Sequence, residues 1–406
     1  MPTGSPRPRS IGAPAVRLTP TPEVEWVLSR AFGAPGGGPA GPFDGSAAVS
    51  IAGRFGLLAR IVHRLGPAHL ASEVGPPAAT EALDEYRQSA LVSARLVALA
   101  RLVGRVANGS GIRVVALKHT ALCLSGVSDA AERGAADADV LVSDADASRL
   151  ERELVRAGVR TSEAPAYDHQ HRPMFHPRGG MLELHRTIPG VRLSPDGPEM
   201  NIESLLARGL ATQFDPGDPR LLVPRPHVLL AHALAHALYQ HGLEPVAYPP
   251  LKLLADIADL RRFAGDDLLS EALPLVAAEV NDEDAKAAWT LPTAIASGGS
   301  ASVLSCPESA GARLLAHFVL GSLDAEYRDS LRLRAVSTFP SDRGGLSGLL
   351  RRTWSTLAIS RAQARVLYGA DTRPKYLFAL ARRPFHLAWK LVRYVRAAAR
   401  GGAGPS

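Results

Sequence analysis

The stretch Gly111–Val142, GIRVVALKHTALCLSGVSDAAERGAADADVLV, decides the fold. A mostly apolar run from Ile112 to Leu117 ends at a charged residue, Lys118. A short Ala/Leu-rich segment, Thr120 to Leu124, follows and is closed by a Ser-Gly break at Ser125 and Gly126. Asp137 and Asp139 then feed straight into Val140, Leu141 and Val142. Periodicity predicts strand, helix, loop and strand. Because side chains alternate along a strand, Asp137 and Asp139 project from one face.

Two carboxylates so close repel each other unless something positive lies between them, and a hard, oxygen-seeking cation such as Mg²⁺ meets that need. A third acid is available downstream. Gly180-Met181-Leu182-Glu183-Leu184-His185 follows a turn at Arg178-Gly179-Gly180 and reads as another strand. Alternation places Met181, Glu183 and His185 on one face and Leu182 and Leu184 on the other. If both strands join one sheet, Glu183 meets the aspartate pair. Two aspartates and an acid on a neighbouring strand suit one or two Mg²⁺ ions over a nucleoside triphosphate.

Leu117-Lys118, then Arg133-x-x-x-Asp137-x-Asp139-Val-Leu-Val, then Leu182-Glu183-Leu184-His185 resembles, in order and spacing, a family of bacterial nucleotidyltransferases. That family lies within the DNA polymerase β-like superfamily, and the resemblance covers residues from about 54 to about 277. It implies an α+β fold: a small mixed β-sheet palm embedded between helical segments, with a C-terminal helical region. It also implies an enzyme that moves NMP from an NTP, with ATP the expected donor, to a small-molecule, peptide or protein acceptor. Asp137, Asp139 and Glu183 are the expected catalytic residues and ligands for Mg²⁺ or Mn²⁺. Lys118 and Arg133 would neutralise phosphate charge, and His119 and His185 would contact base or acceptor. This chain departs from the pattern at two positions. His119 and Ala136 stand where the family favours glycine, which lets backbone approach a phosphate.

At 406 residues the chain is long enough for two or more lobes. Only Cys123 and Cys306 occur, so no disulfide framework is expected and a reducing cytoplasm is the default. No run approaches the roughly 20 apolar residues of a membrane span, and the N-terminus lacks the apolar block of a secretory signal.

Composition and periodicity divide the chain into five expected regions. Residues 1–47 form a flexible Gly/Pro/Ala-rich head with an apolar island at Val24 to Phe32. Residues 48–110 carry N-terminal helices, one with Leu83, Tyr86, Ala90, Ala94 and Val97 as its apolar stripe. Residues 111–199 form the palm, and 200–345 a mostly helical lobe. Residues 346–406 form a basic tail, in which Leu350 to Arg400 holds twelve Lys/Arg against one Asp, although the whole chain carries only +7.

Several motifs have a plain reading beside the functional one. Arg133 is otherwise a solvated loop arginine, and Lys118 the structural partner of a nearby acid. His232 and His236 share a helix face, but Ala233 removes the zincin pattern, leaving histidines of the core or the site wall. Asp256 either holds one of them or an acceptor group, or forms a buried ion pair or cap. The run Asp168, His169, His171, His176 lacks zinc-ligand spacing and borders the nucleotide pocket. Tail arginines interleaved with Trp354, Tyr368, Tyr376, Phe378, Phe385, Trp389 and Tyr394 suit an anionic partner: nucleic acid, lipid headgroups or an acidic protein. Two rival functions follow. One is an inactive palm-like scaffold that binds a protein; the other is an adaptor for nucleic acid or an anionic membrane.

Overall fold

A computed structural model describes residues 18–33, 41–162, 169–194, 197–240, 250–277, 280–323, 372–378 and 380–385. The chain begins with four helices: α1 (Pro22–Phe32), α2 (Gly45–Phe55), α3 (Leu58–Val74) and α4 (Pro76–Gly109). Pro22 opens α1, where a missing N–H costs nothing, and the Asp44 side chain caps α2 by accepting from the Ser46 and Ala47 amides. The expected helix at the apolar island is there, but it is no part of a loose head. Trp26, Val27 and Leu28 are fully buried, and Glu25 accepts hydrogen bonds from the amide and hydroxyl of Ser300 far down the chain.

The central unit runs β1 (Val114–Ala116), α5 (Lys118–Leu124), β2 (Asp137–Leu141), α6 (Asp144–Arg156), β3 (Arg160–Thr161), β4 (Met174–His176) and β5 (Gly180–His185). A separate two-stranded ribbon follows, β6 (Thr187–Arg192) with β7 (Glu199–Asn201), then α7 (Ile202–Ala207). Next come β8 (Ala211–Gln213) and β9 (Leu221–Pro224). The seven-stranded sheet has the order β3-β4-β5-β2-β1-β9-β8. β2 pairs parallel with β5 and antiparallel with β1, and β1 pairs parallel with β9, so the sheet is mixed as expected. The region read as mostly helical after residue 199 therefore also supplies two strands of this sheet.

The last helices are α8 (Pro226–Ala235), continued by a π-helical turn His236–Gln240, then α9 (Pro250–Ala264), α10 (Leu268–Ala272), α11 (Asp282–Leu304) and α12 (Ala310–Leu323). In the basic tail only residues 372–378 and 380–385 are described, and they are helical. Trp354, Tyr368, Trp389 and Tyr394 lie outside the described residues.

α4 covers one face of the sheet, with a buried side that differs from the expected stripe. Ser93, Leu96, Leu99, Val103, Gly104 and Ala107 are buried, Ala94 is exposed, and Leu83, Tyr86, Ala90 and Val97 are only half-buried. Two residues that hydropathy counts as neutral set this rotation. Ser93 Oγ donates to the Arg133 carbonyl at 2.6 Å, and a Cβ on Gly104 would stand 2.8 Å from Leu221 Cβ, so β9 presses against bare backbone. A Cβ on Gly180 would likewise meet Leu96 at 3.1 Å, which puts the Gly180, Leu182 and Leu184 side of β5 toward α4. Glu183 and His185 consequently occupy the opposite face.

Candidate active site

In the parallel ladder of β2 and β5, Asp139 is the register partner of Glu183, Asp137 of Met181 and Leu141 of His185. All three acids share the face turned away from α4. Asp139 is buried, whereas Asp137 and Glu183 are half-buried. The Asp139 Oδ1 atom accepts from Lys118 Nζ at 2.8 Å and lies 2.8 Å from His185 Nε2. The same His185 nitrogen is 3.6 Å from Glu183 Oε2. One ligand atom each from Asp139, Glu183 and His185 fall within 4.8 Å of one another. Two carboxylates and an imidazole so close, with Asp137 beside them, are a donor set that fits a divalent cation.

Lys118 reaches Asp139 through an unusual backbone. Its φ is 46°, and it is the only non-glycine with positive φ among the described residues. Such a conformation costs of order 1 kcal/mol for an L residue. It arises where β1 ends and α5 begins: Leu117 N–H donates to the Asp139 carbonyl at 2.9 Å, and Thr120 Oγ1 to the Leu117 carbonyl at 2.9 Å. The chain then turns abruptly and throws the lysine over the aspartate.

Burial alone raises the Asp139 carboxyl, but Lys118 and the His185 hydrogen bond outweigh it and hold the group well below the usual carboxylate range. Asp137 moves the other way, up to about 6, through burial and then through repulsion by Asp139. For His185 burial favours the neutral ring, yet the bonds to Asp139 and Glu183 raise its pKa overall. His185 Nδ1 is buried without a hydrogen-bond partner among the described residues.

The other expected site residues lie elsewhere around this centre. Arg133 is engaged with the helical lobe. Its guanidinium is buried, with Nε and Nη2 donating to the two carboxylate oxygens of Asp256 at 2.6 and 2.8 Å. The ion pair anticipated as one option for Asp256 is therefore present, and its partner is Arg133. His119 is buried 3.6 Å from Cys123 Sγ, and burial together with Arg133 and Lys252 holds its pKa well below the ordinary value.

His232 is buried on α8, with Nε2 unpartnered among the described residues and a pKa pushed down to about 3 by burial and by Lys118. His169 stacks near His185 with ring centroids 5.8 Å apart, and it is the member of the His-rich run that the structure brings to the site. Asp168 lies outside the described residues.

Sequence reasoning did not single out Lys252, a buried lysine on α9 whose pKa falls to about 7 through burial and then Arg133, with Asp137 among the charges acting on it. Nor did it single out Asp259, which takes Arg60 in a two-pronged pair at 2.7 and 2.7 Å and accepts from Ser128 Oγ at 3.0 Å. The spacing Lys252, Asp256, Asp259 within the mostly apolar run Leu251 to Leu260 was the available signal.

A family model described as an uncharacterised nucleotidyltransferase matches residues 41–285, more than half of the chain. No match was found among curated proteins or among solved structures.

Proposed function

The chain belongs to the uncharacterised nucleotidyltransferase family, and from that premise we propose that it transfers NMP from an NTP, ATP being the expected donor, to a small-molecule, peptide or protein acceptor. Asp137, Asp139 and Glu183 would hold the divalent cation, Mg²⁺ or Mn²⁺. Bound there, the cation supplies charge stabilisation to the triphosphate and to the departing pyrophosphate. Lys118 balances Asp139 and is the cation placed to meet phosphate oxygens as a point charge. His185 orients Asp139 from beneath, through its Nε2. Arg133 acts one step away: by gripping Asp256 it fixes the loop that delivers Asp137.

The observation that carries this reading is the cross-strand pairing of Asp139 with Glu183, with Lys118 and His185 both on one oxygen of the aspartate. Calorimetric titration of ATP in the presence of Mg²⁺ tests it. Asp139→Asn should weaken binding at least tenfold, with the circular dichroism spectrum unchanged. Equal affinity in the variant and the parent would remove the proposal.

A second reading rests on the same oxygen. Lys118 and His185 together neutralise Asp139 without any metal, and His119 fills the place of a phosphate-approaching glycine. An inactive palm that serves as a protein-binding scaffold fits those two facts. A parent protein that shows no Mg²⁺-dependent thermal shift with any NTP would favour it.

We assign the basic tail to an anionic partner, supported by exposed Leu377, Phe378 and Phe385 beside Arg373, Lys375, Arg382 and Arg383. No helix among the described residues is long and apolar enough to cross a membrane.

A further inference from the structure

A cavity of about 320 Å³ opens between α2, α3, α4 and the loop that precedes β2. Its walls include Gly53, Glu85, Tyr86, Ser89 and Gly134, and buried Lys252 lies at its inner end. None of the site acids lines the cavity, but its loop wall, Gly134 to Ala136, is followed directly in the chain by Asp137, whose charge acts on Lys252.

Two glycines keep this space open. A Cβ on Gly134 would stand 2.7 Å from Ser89 Oγ, and one on Gly53 would stand 3.3 Å from Glu85 Oε1. The two ends of the cavity differ in charge. The inner end holds the Lys252 amine. The mouth holds the exposed Glu85, which has no hydrogen bond or ion pair with any described residue. Burial and then the like charge of Glu81 raise the Glu85 carboxyl, as expected of an acid that lacks a counter-charge. Asp129 and Glu132 act in the same sense on Tyr86, after burial.

We propose that this cavity receives the acceptor of the transfer reaction, and that the acceptor is a small hydroxylated amine. Its ammonium would pair with Glu85 at the mouth, and a hydroxyl would reach inward past Ser89 toward Asp137. The proposal rests on the nucleotidyl-transfer reading. In the step, the acceptor oxygen bonds to the α-phosphorus while the bond from that phosphorus to the bridging oxygen breaks. Pyrophosphate leaves with the electron pair, and the hydroxyl proton passes to water. The volume sits near the lower end of the roughly 300–1,000 Å³ of small-molecule sites, which suits a sugar-sized molecule and excludes a folded protein.

The test uses the full chain and three matched probes, glucosamine, glucose and glucuronate, titrated without nucleotide by ligand-observed NMR. Glucosamine should bind best. Glu85→Gln should weaken it about fivefold, the size expected of a partly exposed ion pair, and leave glucose unaffected. Gly53→Leu should fill the cavity and abolish both. Calorimetry with Mg²⁺ and ATP should give parental affinity for both variants. A preference for glucuronate, no binding of any probe, or an unchanged glucosamine affinity in Glu85→Gln would overturn the proposal. If Gly53→Leu folds but loses ATP, the cavity is a nucleotide pocket: the acceptor assignment fails while nucleotidyl transfer stands. Absence of ATP binding in the parent chain would instead sink the transfer reading, and the acceptor role with it. Glu85 is exposed, so its variant keeps the question answerable if Gly53→Leu does not fold.

Discussion

Arg133 and Asp256, 123 positions apart in the chain, meet in a buried two-pronged ion pair at 2.6 and 2.8 Å. Arg133 sits four residues before the first site aspartate, and Asp256 sits on α9, so the pair locks a palm loop to the helical lobe. Ser93 holds the carbonyl of the same arginine from the α4 side. Asp259, one turn along α9, repeats the device with Arg60. The loop that carries Asp137 is thereby held from three helices, α3, α4 and α9.

Breaking that lock should be costly, because one buried charge is left without its partner. Asp256→Asn is expected to lower unfolding free energy by about 3 kcal/mol in urea titrations. The pair Arg133→Met with Asp256→Leu should recover part of the loss, since neither charge then remains. A loss under about 0.5 kcal/mol for Asp256→Asn would show that α9 does not depend on the pair.

His232 should give the fold an acid sensitivity. Its pKa in the folded chain is about 3, pushed down by burial and Lys118 from an ordinary 6.5. Below the ordinary value the unfolded chain binds a proton that the folded chain refuses, so stability falls as pH drops from about 6.5 toward 3. Between pH 7.5 and 5 this group alone should remove about 2 kcal/mol. His232→Leu should lose that share of the pH slope; a slope identical to the parent's would exclude it as the cause.

Gly104 and Gly109 lie on the same helix and should respond in opposite ways to alanine. At Gly104 a Cβ meets Leu221 at 2.8 Å, and at Gly109 nothing lies within 4 Å. Gly104→Ala is expected to cost about 2 kcal/mol through overpacking. Gly109→Ala should be neutral or stabilise by up to about 1 kcal/mol through helix propensity. Thermal melts of the two variants check the contrast, and equal shifts would contradict it.

Lys118→Met keeps the length of the side chain but removes the cation from Asp139. The freed carboxylate then faces Asp137 and Glu183 with only His185 as counter-charge. Affinity for Mg²⁺ alone should stay the same or rise, while affinity for ATP with Mg²⁺ should fall about tenfold. Equal losses in both titrations would mean that Lys118 supports the acids and not the phosphate.

The site strands were legible because period-two alternation and spaced acids are local signals: Asp137-x-Asp139 and Glu183-x-His185 lie on facing strands as the pattern predicts. The start of α6 is local in the same way: Ser143 caps it through the Asp146 amide, and Ala147, Leu150 and Leu154 are buried at helical spacing. Other features depend on contacts between distant residues, which no window of sequence contains. The partner of Arg133 lies 123 residues away. The buried side of α4 is set by a hydroxyl bond at Ser93 and a missing side chain at Gly104, neither of which registers as hydrophobic. β8 and β9 are three and four residues long, too short to show alternation beside the strongly apolar α8. Lys252 gave no local signal of its burial, because that burial is imposed by packing of the whole helical lobe.

β1, the strand that leads into Lys118, pairs on one side with β2 and on the other with β9, more than a hundred residues later. During synthesis the upstream strand must therefore wait, with one row of backbone N–H and C=O groups bare, until the downstream partner has left the ribosome. A truncated gene product stopped at residue 199 would carry Asp137, Asp139 and Glu183 yet present that open edge permanently. Such a fragment is expected to aggregate, so the smallest portion worth expressing extends past Pro224.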